Sequence, residues 1–176
     1  MNITDKIKSK IRDVKDFPKP GITFKDITPL LSDPGLCEEI VKHLAGQWKG
    51  QKIDAIVGIE SRGFLFGMLM AQHMHLPFVP VRKKGKLPAD TISYSYALEY
   101  GEATIEIHTD SIKEGWKVLI HDDLLATGGT AAAAAELVKN LNGSIAGFSF
   151  LVELDFLKGH ELLEDYSQAL KALVHY

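Results

Sequence analysis

The chain has only one cysteine, Cys37, among its 176 residues. A single cysteine cannot form an internal disulfide, and this scarcity is typical of proteins from a reducing compartment. The first residues carry no signal-peptide pattern, and no uninterrupted apolar run is long enough to span a bilayer. We therefore expect a cytoplasmic protein that does not associate with membranes.

Excess charge and the commonest nucleotide-binding motifs are also missing. The formal net charge is −3, which gives no general attraction for nucleic acid, so nucleic acid is not an expected partner. There is no G-x-x-x-x-G-K-[ST] motif and no G-x-G-x-x-G motif after a strand, which argues against Walker-A and Rossmann nucleotide sites. The length and the 45% hydrophobic content fit one globular domain over residues 1–176.

From residue 53 onward, apolar runs alternate with segments of helical pattern. The strands are predicted at 53–59, 78–82, 117–121 and 145–152, and the helices between them at 63–75 and 131–141. This alternation predicts an α/β fold, a mostly parallel twisted sheet with helices on both faces. Ligands of such sheets bind beyond the carboxyl ends of the strands.

Two segments depart from that alternation. Residues 93–98 and 103–108 alternate in polarity on either side of a short turn, which predicts a β-hairpin. The whole insertion, at about 83–108, is predicted to be a lid or an oligomer contact. Before residue 53 we expect helix, loop and helix, the second helix starting at Asp33 with Pro34 in its first turn.

The most informative segment is 118–130. An apolar run, predicted to be a buried strand, ends in the adjacent acids Asp122 and Asp123. Carboxylates at that position can accept hydrogen bonds from the hydroxyls of a sugar. The alternative is an ordinary turn with two solvated acids.

A small-residue loop follows the two acids and opens directly onto a polyalanine helix. Its free backbone N–H groups and the positive end of the helix dipole favour a phosphate group. Gly128 and Gly129 let the backbone approach the anion, and Thr127 and Thr130 supply hydroxyl donors. Together with the two acids, this loop predicts a site for a ribose 5-phosphate.

A second anion loop is predicted at residues 58–63, where a strand ends in Glu-Ser-Arg-Gly. The Arg62 guanidinium suits bidentate binding of a diphosphate, although an ordinary βα turn with an exposed arginine is the alternative. Lys83, Lys84 and Lys86 form either a further contact to phosphate charge or a solvated charge run.

Glu99 lies at the predicted tip of the hairpin. Closure of a lid would carry this acid into the cleft and desolvate it, as a general base requires. A solvated turn carboxylate is the alternative.

Several stretches together resemble the adenine-specific members of the type I phosphoribosyltransferase family, which use phosphoribosyl diphosphate (PRPP). The matching stretches are residues 16–29, 61–67, 82–88, 98–101, 118–130, 151–154 and 157–159. They follow the family in register from about residue 16 to 159, without a large insertion. The resemblance therefore implies the type I phosphoribosyltransferase fold, with a hairpin lid over the cleft.

The resemblance also implies a role for each matching residue. The ribose hydroxyls would be bound by Asp122 and Asp123. The 5-phosphate would be bound by Ala126, Thr127, Gly128, Gly129 and Thr130. The diphosphate would be bound by Glu60, Ser61, Arg62, Lys83 and Lys86, with a cis peptide at Glu60–Ser61. Adenine would lie against Thr23, Phe24, Lys25 and Leu154. Glu99 would move a purine proton, and Tyr100 would belong to the lid.

The implied reaction is transfer of the 5-phosphoribosyl group from PRPP to adenine, giving AMP and diphosphate for purine salvage. Mg²⁺ would be the cofactor, held mainly through PRPP and water with no direct protein ligand, and a homodimer is the implied assembly. Lys25 departs from the family, in which arginine is common at this position. Two alternatives remain open: a site for hypoxanthine or guanine, and a PRPP-binding regulator without catalysis.

Overall fold

The computed structural model describes residues 1–98 and 101–176. Its helices are α1 Ile3–Lys10, α2 Pro34–Gly46, α3 Gly63–Met74, α4 Gly129–Asn140 and α5 Gly159–Leu163. Its strands are β1 Arg12–Lys15, β2 Thr23–Asp26, β3 Ala55–Ile59, β4 Phe78–Lys83, β5 Thr91–Ala97, β6 Glu102–His108, β7 Lys117–Leu125, β8 Ser144–Glu153 and β9 Leu170–His175. Within these ranges, no helix is both long enough and apolar enough to cross a bilayer.

Seven strands form the main sheet, in the order β5-β6-β4-β3-β7-β8-β9. Within it, β4, β3, β7, β8 and β9 pair in parallel. The β5–β6 hairpin is antiparallel and joins the sheet through β4. The prediction of an α/β fold with a mostly parallel sheet and a hairpin is therefore confirmed.

Side chains alternate between the two faces of the central strands, and helices cover both faces. Val57 and Ile120 pack with the alanines at 131–135 of α4, which let that helix approach the sheet closely. Ile56 and Leu119 face the opposite way and pack with residues of α2 and α3. This arrangement buries β3 completely, as expected for a strand of a parallel sheet covered on both faces.

Strand β7 is longer than its apolar run predicted. It extends to Leu125 instead of ending at His121, because its pairing with β8 continues through Leu125 opposite Glu153. The two acids therefore lie inside the strand and not beyond it. The predicted start of α2 is confirmed, since the Asp33 side chain accepts a hydrogen bond from the Leu36 N–H at 3.1 Å.

Two further regions were not predicted. The loop expected after α1 contains a separate antiparallel ribbon of β1 and β2. Both strands have only four residues, β1 mostly exposed and β2 mostly half-buried. Neither shows the alternation of apolar and polar residues by which strands are predicted. The last strand, β9, was missed as well, and it pairs in parallel with β8 at the edge of the sheet.

The contact between β8 and Trp48 gives a prediction for stability. A Cβ added at Gly147 would overlap the buried Trp48 ring and lie 2.6 Å from the Ala169 carbonyl oxygen. Gly147→Ala should therefore lower the free energy of unfolding by about 1–3 kcal/mol, measured by urea denaturation. Gly46→Ala is the control, because nothing lies within 4 Å of its added Cβ. Equal stability of the two variants would contradict this prediction.

Candidate active site

Both predicted anion loops lie at one edge of the main sheet. Strand β3 pairs in parallel with β4 and with β7, with Ile59 opposite Val81 and Gly58 opposite His121. The carboxyl ends of these three strands therefore point the same way. The segments that follow them, at 60–62, 84–86 and 126–128, meet at this edge.

The loop between β7 and α4 has the geometry of an anion site. Gly128 is the N-cap of α4, has φ +87° and supplies no side-chain cap, so the first N–H groups of the helix are open to a ligand. These groups border a cavity of about 90 Å³. It is lined by Asp122, Leu124, Leu125, Ala126, Thr127, Gly128, Gly129, Thr130, Ala131 and Phe150.

The two glycines of this loop differ in what the fold demands of them. A Cβ at Gly128 would lie 2.6 Å from the Gly159 carbonyl oxygen, and φ is positive there, so glycine is required. A Cβ at Gly129 would meet the Tyr96 ring at 3.6 Å, an ordinary contact. Gly159 in turn has no room for a Cβ beside the Ala126 carbonyl oxygen, so the loop packs tightly against the start of α5.

The two acids of β7 are withdrawn from solvent, which does not fit the alternative of solvated turn carboxylates. Asp123 is 2% exposed, and half-buried Asp122 accepts the Asp123 N–H at 2.8 Å through Oδ1. Burial and the neighbouring Asp123 charge raise the pKa of Asp122 well above its ordinary value. Burial also raises the pKa of Asp123, although the Arg62 charge opposes it.

Arg62 connects these acids to a residue predicted to contact adenine. Its Nε lies 3.0 Å from Asp123 Oδ2, and its guanidinium carbon lies 4.8 Å from the centre of the Phe24 ring. The Phe24 ring also packs edge-to-face on Phe17, with 5.3 Å between ring centres. Asp123, Arg62 and Phe24 are thus in successive contact. They were predicted to bind ribose, diphosphate and adenine, respectively.

Glu60 organises the cationic segment after β4. Its carboxylate accepts the Lys83 N–H at 2.9 Å, the Lys86 ammonium at 3.0 Å and two Arg82 N–H groups at 3.3 Å each. Burial by itself would raise the pKa of Glu60, but these donors outweigh burial and lower it to about 2. The Glu60–Ser61 peptide bond is cis.

A second cavity of about 490 Å³ lies between this cationic segment and the hairpin. It is lined by Ile59, Glu60, Lys83, Lys84, Tyr96, Ala103, Thr104, Ile105, Asp122 and Thr130. Asp122 and Thr130 also line the smaller cavity, so the two cavities adjoin.

Tyr96 is a site residue that the sequence analysis missed. Its hydroxyl lies 2.9 Å from Thr130 Oγ1 and joins the hairpin to the loop between β7 and α4, the predicted phosphate loop. The signal available in the sequence was the pair Tyr94 and Tyr96, two aromatic residues on one face of a predicted strand.

The remaining predicted adenine residues lie on two separate elements. Thr23 and Lys25 flank Phe24 on β2. The Lys25 ammonium lies 2.7 Å from Asp13 Oδ1 and 3.8 Å from the centre of the Tyr176 ring, so its charge is compensated within the protein. Leu154 directly follows β8, and its N–H donates to the Leu125 carbonyl at 3.0 Å.

Glu99 and Tyr100 fall outside the described residues. Next to them, the Leu98 N–H donates to the Gly101 carbonyl at 2.9 Å. The roles of Glu99 and Tyr100 stay predictions from the resemblance.

Comparison with known proteins agrees with this fold. The family pattern described as the phosphoribosyl transferase domain matches residues 31–173. The adenine phosphoribosyltransferase of Cytophaga hutchinsonii is 53% identical over 97% of this chain and 94% of that protein.

Solved structures give the same result. The crystal structure of adenine phosphoribosyltransferase from Thermoanaerobacter pseudethanolicus superposes with a TM-score of 0.95 at 48% identity, covering 98% of this chain and 99% of that one. The Saccharomyces cerevisiae enzyme, solved with adenine and an imino-altritol bisphosphate, superposes with a TM-score of 0.89 at 40% identity, covering 97% and 98% of the two chains.

The fold and site thus define a phosphoribosyltransferase. Within that class, the chain belongs to the adenine phosphoribosyltransferase family, whose members transfer the phosphoribosyl group of PRPP to adenine in purine salvage.

The contacts of Glu60 predict how stability depends on pH. The folded-state pKa of about 2 lies below the ordinary 4.5, so ionised Glu60 stabilises the fold above about pH 4.5, and this contribution is lost as the pH falls towards 2. Between about pH 5 and about pH 3, the parent chain should lose about 2 kcal/mol more stability than Glu60→Gln. Urea unfolding at each pH measures the difference.

The control for this experiment is Glu114→Gln, which removes an exposed carboxylate far from the site. Its stability should follow the parent across the same range. If the Glu60→Gln variant also follows the parent, the donors around Glu60 do not lower its pKa.

Proposed function

We propose that this chain transfers the 5-phosphoribosyl group from PRPP to adenine, releasing diphosphate and forming AMP. The reaction would take place at the edge of the sheet formed by the carboxyl ends of β3, β4 and β7. The observation that carries the proposal is the junction of the two cavities at Asp122 and Thr130. A helix N-terminus borders the small cavity, and Lys83 and Lys84 line the large one. This suits a sugar with a phosphate at one end and a diphosphate at the other.

The small cavity is proposed to bind the 5-phosphate and the ribose. The N–H groups of the loop from Ala126 to Thr130 would donate to the phosphate oxygens, helped by the dipole of α4. Asp122 and Asp123 would accept hydrogen bonds from the ribose hydroxyls. Burial raises both pKa values in the free protein, and hydrogen bonds from the ribose hydroxyls would lower them by stabilising the ionised carboxylates.

The diphosphate is proposed to bind against Lys83, Arg62 and the turn at Ser61. Glu60 acts as a positioning residue, because its carboxylate is occupied by Arg82, Lys86 and the Lys83 N–H. Lys86 would thus mainly hold the loop in its conformation through its bond to Glu60. The Lys83 side chain lines the large cavity, where it could contact the diphosphate directly.

Adenine is proposed to bind between Phe24 and Leu154, with backbone groups of Thr23 and Lys25 contacting its edge. Two contacts support this placement. Phe24 touches the Arg62 guanidinium, and Leu154 is hydrogen-bonded to the end of β7. Because the Lys25 ammonium is engaged elsewhere, lysine in place of arginine leaves a backbone contact possible.

The chemical step is a displacement at C1 of the ribose. N9 of adenine attacks, the C1–oxygen bond to diphosphate breaks, and the configuration inverts through an oxocarbenium-like transition state. Glu99 accepts the purine proton. Residues 83–108, with Tyr100, form a lid on a single domain of residues 1–176, and lid closure excludes water that would hydrolyse PRPP.

Mg²⁺ is the proposed cofactor, and the donor set fits an ion held chiefly by substrate and water. The Glu60 carboxylate is taken up by cationic and N–H donors, and Asp123 is paired with Arg62. This leaves Asp122 as the carboxylate facing both cavities. When bound, Mg²⁺ would neutralise charge on the departing diphosphate.

A homodimer is the proposed assembly. An apolar groove of about 930 Å³ lies between α2 and α3, lined by Leu31, Val41, Leu65 and Leu69 among others. Exposed apolar surface of this kind supports a protein interface. Light scattering should give about twice the 19.4 kDa mass of one chain, and a monomer mass would contradict the assembly.

A cytoplasmic location is proposed from the single cysteine.

The proposed activity is tested by diphosphate release. Adenine mixed with PRPP and Mg²⁺ should release one diphosphate per AMP formed, while hypoxanthine and guanine should release little. Faster release with either of those bases would show that the base assignment is wrong. Binding of PRPP without diphosphate release would indicate the non-catalytic regulator instead.

Glu99→Gln tests the proposed base. A group needed only in the transition state affects kcat more than substrate binding, and loss of a positioned base costs ~10²–10⁴-fold. Turnover should fall on that scale, while PRPP affinity by equilibrium titration should change little. Glu102→Gln, a neighbouring exposed acid, is the control. If Glu99→Gln stays within about threefold of the parent kcat, Glu99 is not the base.

A further inference from the structure

A cluster of metal-ligating side chains lies outside the proposed active site, where β8 ends beside β9. Glu153, Asp155 and His175 each offer one ligand atom, and these three atoms lie within 4.8 Å of one another. His175 Nδ1 lies 2.8 Å from Asp155 Oδ1 and 3.7 Å from Glu153 Oε2. On the other side, His160 Nδ1 lies 2.9 Å from Glu153 Oε1.

Within the described part of the chain, the ion pairs of Glu153 and Asp155 all involve histidine. Glu153 is 4% exposed, and a buried carboxylate is costly unless a cation compensates it. His160 and His175, the partners of Glu153 in these pairs, are cations only when protonated. A cavity of about 440 Å³ lies beside the cluster. Among the described residues that line it, Glu164 is a further acid and none is lysine or arginine.

We propose that Glu153, Asp155 and His175 bind a Zn²⁺-type transition-metal cation. Two carboxylate oxygens and one imidazole nitrogen are suitable ligands for Zn²⁺, at about 2.0–2.2 Å, with a remaining position for water. The imidazole ligand separates this site from Mg²⁺ and Ca²⁺, which prefer oxygen. His160 orients the Glu153 carboxylate from outside the ligand set.

Binding here would tie three elements together. The ligands come from the end of β8, the turn after it and β9. The same turn leads to Gly159, whose carbonyl packs against Gly128 of the phosphate loop. The metal would therefore stabilise the segment on which that loop rests, and this inference does not depend on the proposed reaction.

The proposal is tested by calorimetric titration of EDTA-treated protein with ZnCl₂. The parent chain should bind one Zn²⁺ per chain, and excess MgCl₂ should not compete. At about 100 times the dissociation constant, Zn²⁺ should raise the thermal midpoint by about 5–10 °C. These readouts are independent of enzyme activity.

Three histidine variants locate the site. His175→Ala should weaken Zn²⁺ binding more than tenfold and abolish the thermal shift, because even outer partners of metal ligands contribute about 10–100-fold. His160→Gln should weaken it by about tenfold. His43→Gln removes an exposed histidine on α2 and should leave binding unchanged.

Two results would overturn the proposal. One is the absence of Zn²⁺ binding by a parent chain with native circular dichroism, which would leave a hydrogen-bonded cluster without a metal. The other is binding that His175→Ala leaves intact, which would place the ion at another surface histidine.

Discussion

Two adjacent carboxylates, buried Asp123 and half-buried Asp122, lie near the end of the central strand β7, and the Arg62 guanidinium offsets their charge. Burial of such a pair is unfavourable unless a cation or a ligand compensates it. The positions of several neighbours follow from this constraint. Arg62 has to reach back from the turn after β3, and Gly63 has to be glycine, because a Cβ there would lie 2.8 Å from Asp122 Oδ1. The same guanidinium lies over the Phe24 ring and so connects the residues proposed to bind ribose to a residue proposed to bind adenine.

A second compensated carboxylate, Glu60, organises the segment after β4 that is proposed to bind diphosphate. It holds Arg82, Lys86 and the Lys83 backbone in one arrangement, so the cationic segment is shaped before any ligand binds. Preorganised charge of this kind stabilises a departing anion without reorganisation during the reaction. The loop between β7 and α4 is held in place by contacts of another kind. The Gly128 backbone packs against Gly159, and the Tyr96 hydroxyl contacts the Thr130 hydroxyl.

Local patterns predicted those parts of the molecule that depend on local physics. The N-cap at Asp33 is such a case, because capping involves residues three apart. The hairpin is another, since its alternation follows from the pleat of a strand. The β1–β2 ribbon lacks apolar alternation and was missed. The true end of β7 was missed because pairing with β8, and not the β7 sequence, decides it.

The sequence by itself determined the class of fold and the family to which the chain belongs, and it located the adjacent acids and the glycine-containing loop before α4, since all of these depend on contiguous residues. Only the tertiary structure decided which charges meet. Glu60 is 22 residues from Arg82, and Tyr96 is 34 residues from Thr130. Glu153 and His175 lie on neighbouring strands separated along the chain by α5. Such contacts depend on strand order and register, which bring distant side chains together through pairing and burial and leave no periodic signal in the sequence.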